Sequence, residues 1–103
     1  MEGGRVMAQD KKDKTFGDYF KELRRGKRLT LREFCRRADV DPGNTSKIER
    51  GILPPPRYKV LARYAQVLGI STESEEWTNL IHRAIITKKK NLESEMANEW
   101  KEV

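Results

Sequence analysis

Residues 29–51 read LTLREFCRRADVDPGNTSKIERG, and this stretch breaks into two short helices joined by a tight turn. Thr30 followed three residues later by Glu33 makes a capping-box pattern, which opens a helix running to about Ala38. Asp41 before Pro42 signals a second start, because Asp caps the first amides and proline is favoured at the first helical position. That helix spans about Pro42 to Arg50 and is closed by Gly51. A short basic helix held at a fixed angle to another has the shape that enters a DNA major groove end-first.

Upstream, Thr15 with Asp18 caps a helix whose apolar residues Phe16, Tyr19, Phe20 and Leu23 recur at three- and four-residue spacing, with Gly26 as its left-handed stop. Downstream, Pro54-Pro55-Pro56 makes a stiff connection, Arg57 to Leu68 reads as a fourth helix, and Gly69 ends it. Thr72 with Glu75 opens a fifth helix with Trp77, Leu80, Ile81, Ala84 and Ile85 on one face. Beyond Ile86 the run Lys88-Lys89-Lys90 interrupts the pattern before Leu92, Met96 and Trp100 return. Two readings stand there: a continued helix meeting a second copy of itself, or a frayed tail. The expected organisation is a disordered leader over 1–14, a helical domain over 15–86, and a helical extension over 87–103 that dimerises or binds a partner.

The 103 residues suffice for one core without disulfides. The net charge of +6 is unevenly distributed: residues 15–70 hold thirteen basic and six acidic side chains, whereas residues 71–103 hold five and seven. That asymmetry suggests a polyanionic partner for the first part and a protein partner for the second. Cys35 and His82 are single residues of their kind and supply neither a metal-ligand set nor a nucleophile–base pair. No catalytic residue, metal or cofactor is expected, and phosphate-binding glycine motifs are lacking. No apolar run is long enough to span a bilayer and no signal peptide is visible, so the expectation is a soluble, cytoplasmic protein.

Over about residues 15–70 the chain resembles the phage repressor and Cro type of helix-turn-helix regulators, the lambda-repressor-like family. That family's second helix begins Leu-Ser/Thr-Gln, its turn is Gly-Val-Ser, and its third helix ends Ser-x-Ile-Glu-x-Gly. The matching positions are Leu29, Thr30, Leu31, Phe34, Cys35, Asp39, Val40, Asp41, Ser46, Ile48, Glu49 and Gly51, and YAQVLGI over 64–70 resembles the end of its fourth helix. The resemblance implies an all-α fold of five helices, here with an extended C-terminal helix.

Helical spacing turns Phe34, Ala38, Val40, Ile48, Leu61, Ala65 and Leu68 inward, with Cys35 packed among them. Glu49 falls between core positions and needs a cation, for which Arg24 is the candidate; the resemblance implies the same pair. On the reading face the family's usual base-contacting places are Pro42, Gly43 and Lys47, and its phosphate-assisting glutamine is Leu31. Proline and glycine offer no side-chain hydrogen bond, so readout is expected to shift to Asn44, Lys47, Thr45 through its methyl, and Ser46; the alternative for Asn44 and Thr45 is local stabilisation of the turn, and the resemblance implies an inward, packed place for Thr45. The bare backbone at Gly43 also suggests helix-end amides presented to phosphate. Thr30, Arg32, Arg50, Arg57 and Tyr58 are candidate phosphate anchors, and Ile85, Leu92, Met96 and Trp100 candidate dimer or partner contacts.

The expected activity is sequence-selective binding of double-stranded DNA by a homodimeric repressor. The alternative is an antitoxin or similar module whose C-terminal segment engages a protein such as a toxin, with DNA binding kept for autoregulation.

Overall fold

The computed structural model covers residues 14–102, with side chains as far as Met96. Five α-helices, and no strand among these residues, follow in the order α1 (Phe16–Gly26), α2 (Leu31–Ala38), α3 (Pro42–Glu49), α4 (Tyr58–Leu68) and α5 (Glu75–Glu102). Residues 1–13, which hold most of the expected leader, lie outside the described residues. Lys14 is tied to the domain: its Nζ is 2.7 Å from Glu22 Oε2 and its carbonyl accepts a 2.8 Å hydrogen bond from Arg83.

The N-caps at α1 to α3 use the residues that the local patterns mark. Thr15 accepts from the Asp18 amide, Thr30 from the Glu33 amide, and Asp41 from the Asn44 amide. α3 ends at Glu49, one residue short of expectation, with Arg50 as its cap. Two boundaries differ in kind. Gly26 is the last helical residue of α1, and the left-handed residue is Arg28, at φ 61°. This turn is fastened from within, since the Leu29 amide donates to the Arg24 carbonyl (3.1 Å) and the Arg24 guanidinium donates to the Leu29 carbonyl (2.7 Å). α5 starts at Glu75 and is capped by Ser74 rather than Thr72. The Ser74 hydroxyl accepts from the Trp77 amide at 3.1 Å and donates to the Ser71 carbonyl at 2.6 Å, so it satisfies both the helix and the preceding turn.

The core is aromatic at its centre. Phe20, Phe34 and Tyr64 meet pairwise with ring centroids 4.8–4.9 Å apart in tilted and edge-on geometry, an arrangement worth about 1 kcal/mol per pair beyond burial. Ala38, Leu61, Ala65, Leu68, Leu80 and Ala84 are buried around them, while Val40 and Ile48 pack on the rim, half-buried. Burial raises the Tyr64 phenol to about 12 and pushes the Cys35 thiol up as well, which keeps Cys35 protonated and unreactive. Trp77 is buried with the Tyr58 ring edge-on against it, centroids 5.8 Å apart.

α5 runs without a break through Lys88-Lys89-Lys90 to Glu102. Ile85, Leu92 and Met96 are all at least half exposed along it. Trp100 lies on the same helix, but its side chain is outside the described residues. No helix is long and apolar enough to cross a membrane, and no metal-binding group of three His, Cys, Asp or Glu occurs, among the described residues.

Candidate nucleic-acid interface

α3 is held from behind by two independent contacts. The first is steric: Gly17 of α1 lies so close to the end of α3 that a Cβ there would stand 2.4 Å from the Glu49 carbonyl oxygen and 2.6 Å from that of Ile48. The second is electrostatic. Arg24 Nε donates to Glu49 Oε2 at 2.8 Å and a terminal guanidinium nitrogen donates to Oε1 at 3.2 Å, with both side chains more than nine-tenths buried. A two-pronged pair of this kind fixes orientation as well as distance. α2 reaches α3 through the turn at Asp39, which is left-handed at φ 58° where an Asp is tolerated better than most residues, and the Val40 amide returns to the Cys35 carbonyl at 3.1 Å.

This bracing separates α3 into two sides. Thr45 is 1% exposed, Ile48 and Glu49 are turned toward the other helices, and Pro42, Gly43, Asn44, Lys47 and Arg50 are exposed. Ser46 is half-buried. The Thr45 hydroxyl donates to the Asp41 carbonyl at 2.7 Å, and the residue sits beside Cys35 and Tyr64. The expectation that its methyl meets a thymine is therefore corrected: with the hydroxyl bonded to its own helix, the methyl is a core contact. Asn44 and Lys47 carry no side-chain partner among the described residues, and both have donors that suit base edges in the major groove.

The start of α3 is also less open than its glycine suggests. Asp41 Oδ2 takes the Asn44 amide at 2.8 Å, the Asp41 carbonyl takes the Thr45 amide at 3.0 Å, and Pro42 has no N–H. Only the Gly43 amide is left over. The idea of a helix end offering several amides to phosphate is corrected accordingly, because a carboxylate of the chain already occupies that position.

Of the candidate phosphate anchors, Arg32, Arg50 and Arg57 are exposed and free of ion pairs among the described residues, and Tyr58 is 64% exposed. Thr30 accepts the Glu33 amide at 3.1 Å, which leaves its hydroxyl proton available. Arg36 and Arg37 differ from these, since both are held on Glu33 Oε2, at 2.5 and 2.8 Å. Hydrogen bonds from Arg36 and then Arg37 lower the Glu33 pKa below its ordinary value.

Gly17 and the blocking role of Asp41 escaped the sequence reading. Gly17 had a signal, since a glycine within a helical run costs about 1 kcal/mol relative to alanine and so marks a packing need. Tyr58 against Trp77, and the Arg83 guanidinium 5.3 Å from the centre of the Tyr19 ring, join residues too far apart in sequence for any local pattern to pair.

Comparison with known proteins gives a consistent result. A family described as a helix-turn-helix domain matches residues 15–77. Among solved structures, the chain is similar to the clp gene regulator ClgR from Corynebacterium glutamicum, with 26% identity, 84% of this chain and 88% of that chain covered, and a TM-score of 0.55. It is also similar to a chain of the SinR protein/SinI protein complex, with 25% identity, coverage of 85% and 98%, and a TM-score of 0.52. No curated protein matches.

Proposed function

This chain belongs to the helix-turn-helix family of DNA-binding transcription regulators, and from that premise we propose that it is a sequence-selective repressor acting as a homodimer, with α3 in the major groove. The observation that carries this reading is the division of α3: one side is locked to α1 and α2, and the other presents Asn44 and Lys47, in a domain where Arg32, Arg50 and Arg57 are exposed and make no ion pair among the described residues. Asn44 reads adenine and Lys47 the acceptors of guanine, with Ser46 and the bare Gly43 at the edges of the contact. Thr30, Arg32, Arg50, Arg57 and Tyr58 hold phosphates on either side. Cytoplasmic residence follows from such a role.

Dimerisation is assigned to α5, where Ile85, Leu92 and Met96 stay exposed on a 28-residue helix and Trp100 continues the spacing. The same stripe supports a second reading, in which α5 engages a protein such as a toxin and DNA binding is autoregulatory; one of the similar chains was itself solved in a complex of two proteins.

The test is binding to fragments selected from a random DNA pool, measured against salt. Neutralising about six phosphates predicts a slope of log affinity on log salt near −5. A slope near zero rejects the DNA reading. Removing residues 87–103 separates the roles of α5, since the dimer is lost on the first reading and a co-purifying partner on the second.

A further inference from the structure

One side of α5 belongs to the domain. Trp77, Leu80 and Ala84 are buried in its core, and Thr87, Asn91 and Ser94 line the clefts beside the proline loop. At about 100° per residue the opposite side carries Thr78, His82, Ile85, Leu92 and Met96 within about 80° of arc, and all five are exposed. Charge along this stripe changes sign at its middle: Lys88-Lys89-Lys90 precede Leu92, and Glu93 and Glu95 follow it. By the same helical angle Lys88 and Glu95 fall on one edge of the stripe, Glu93 on the other edge, and Lys89 within it. Lys88, Lys89, Glu93 and Glu95 are exposed, and none is in an ion pair among the described residues.

We infer that α5 pairs with α5 of a second copy in the antiparallel direction, about a two-fold axis between Lys90 and Asn91. This rests on the α5 dimer proposed above and gives it a direction and a register. Ile85 then meets the partner's Met96, and Leu92 meets the stem of the partner's Lys89, whose ammonium reaches out toward Glu93. Along the edge Lys88 faces the partner's Glu95, and the symmetry makes each contact twice. The paired stretches cover about 20 residues, or about 30 Å, of each helix. The path is open, because the partner's Thr78, His82 and Ile85 are exposed where the far end of α5 lies across them. Parallel pairing keeps a contact between Lys88 and Glu93 but sets Lys89 on Lys89 in the seam. Like charges so placed are destabilising, and charge complementarity therefore selects the antiparallel pair.

Cross-linking of full-length chains with a short bismaleimide tests the direction. A mixture of Ile85→Cys chains and Met96→Cys chains should yield a covalent dimer, and either variant alone should yield little, since two copies of position 85 stand about 16 Å apart along the paired helices. Cys35, 1% exposed, stays out of the reaction. Lys88→Glu should weaken dimerisation about tenfold in sedimentation equilibrium, and adding Glu95→Lys to the same chain should return it to within about twofold. Parallel helices predict no such recovery, because Glu93 is unchanged. Cross-linking of each cysteine variant with itself overturns the direction and leaves the α5 dimer standing. A dimer that persists in Leu92→Glu, an exposed position outside the core, lies elsewhere on the chain; it removes this pairing and leaves a homodimeric repressor standing. A chain that sediments as a monomer overturns both.

Discussion

Arg24 and Glu49 form a buried, two-pronged ion pair that joins the end of α1 to the end of α3, and the same guanidinium also ties the Leu29 carbonyl into the turn before α2. One side chain thus fixes three parts of the domain at once. Arg24→Ala or Glu49→Ala leaves a charge buried without its partner, and each should lower the free energy of unfolding by about 3–5 kcal/mol in urea titrations. Arg24→Lys should recover little of the loss, because an ammonium group cannot reproduce the fork. Unchanged urea midpoints would refute the role.

Gly17→Ala offers a contrasting case. Helix propensity alone predicts a gain of about 1 kcal/mol. The added methyl would, however, stand 2.4 Å from a backbone oxygen that has nowhere simple to go, so a net loss of about 2 kcal/mol or more is expected. A melting temperature equal to or above that of the parent chain would show that α1 and α3 can separate freely.

Stability should also fall at high pH. The folded chain holds the Tyr64 proton up to about 12, whereas the unfolded tyrosine releases it near 10. Between these values the native state binds more protons than the unfolded state, so unfolding free energy declines from about pH 10 and levels off above about 12, by about 2–3 kcal/mol in all. Tyr64→Phe should flatten that part of the profile. An equally steep decline in the variant would assign it to other groups.

Arg28 and Asp39 both adopt left-handed backbone, at φ 61° and 58°. Replacing either with glycine removes the steric cost to Cβ while adding freedom to the unfolded chain, and the expected net gain is up to about 1 kcal/mol. Differential scanning calorimetry of the two single variants measures it, and a clear loss at both positions would contradict the geometry.

Base readers and phosphate anchors should separate in binding data. Asn44→Ala and Lys47→Ala should each cost about 1–3 kcal/mol on the selected site and relax discrimination at one base position. Arg57→Ala should weaken binding to all sequences alike and reduce the salt slope by about 1. If Asn44→Ala behaves like Arg57→Ala, α3 is not reading bases through that residue.

Helix order and most starts were legible because they depend on neighbours in sequence: Thr30 with Glu33, and Asp41 with Pro42, are local devices. The burial of Phe34, Ala38, Leu61, Ala65 and Leu68 followed from spacing for the same reason. Where two adjacent candidates compete, local rules fail. Ser74 prevailed over Thr72 because it bonds both the helix and its preceding turn, and Arg28 took the left-handed place beside Gly26 because Arg24 fastens the following residue from both ends. At the candidate site, the outward position of Lys47 and Arg50 was readable from the helical period. The inward turn of Thr45 was less so, since a threonine suits a core and a groove alike and only its Asp41 and Tyr64 surroundings decide.

The bracing of α3 has a mechanical meaning. With its end pressed against Gly17 and clamped by Glu49 to Arg24, the helix has little freedom to tilt or slide toward a poorly matched site. On the proposed reading, adjustment must come from the stiffness of the duplex. Sequences that bend easily at the contact will be preferred even at base pairs that no side chain touches.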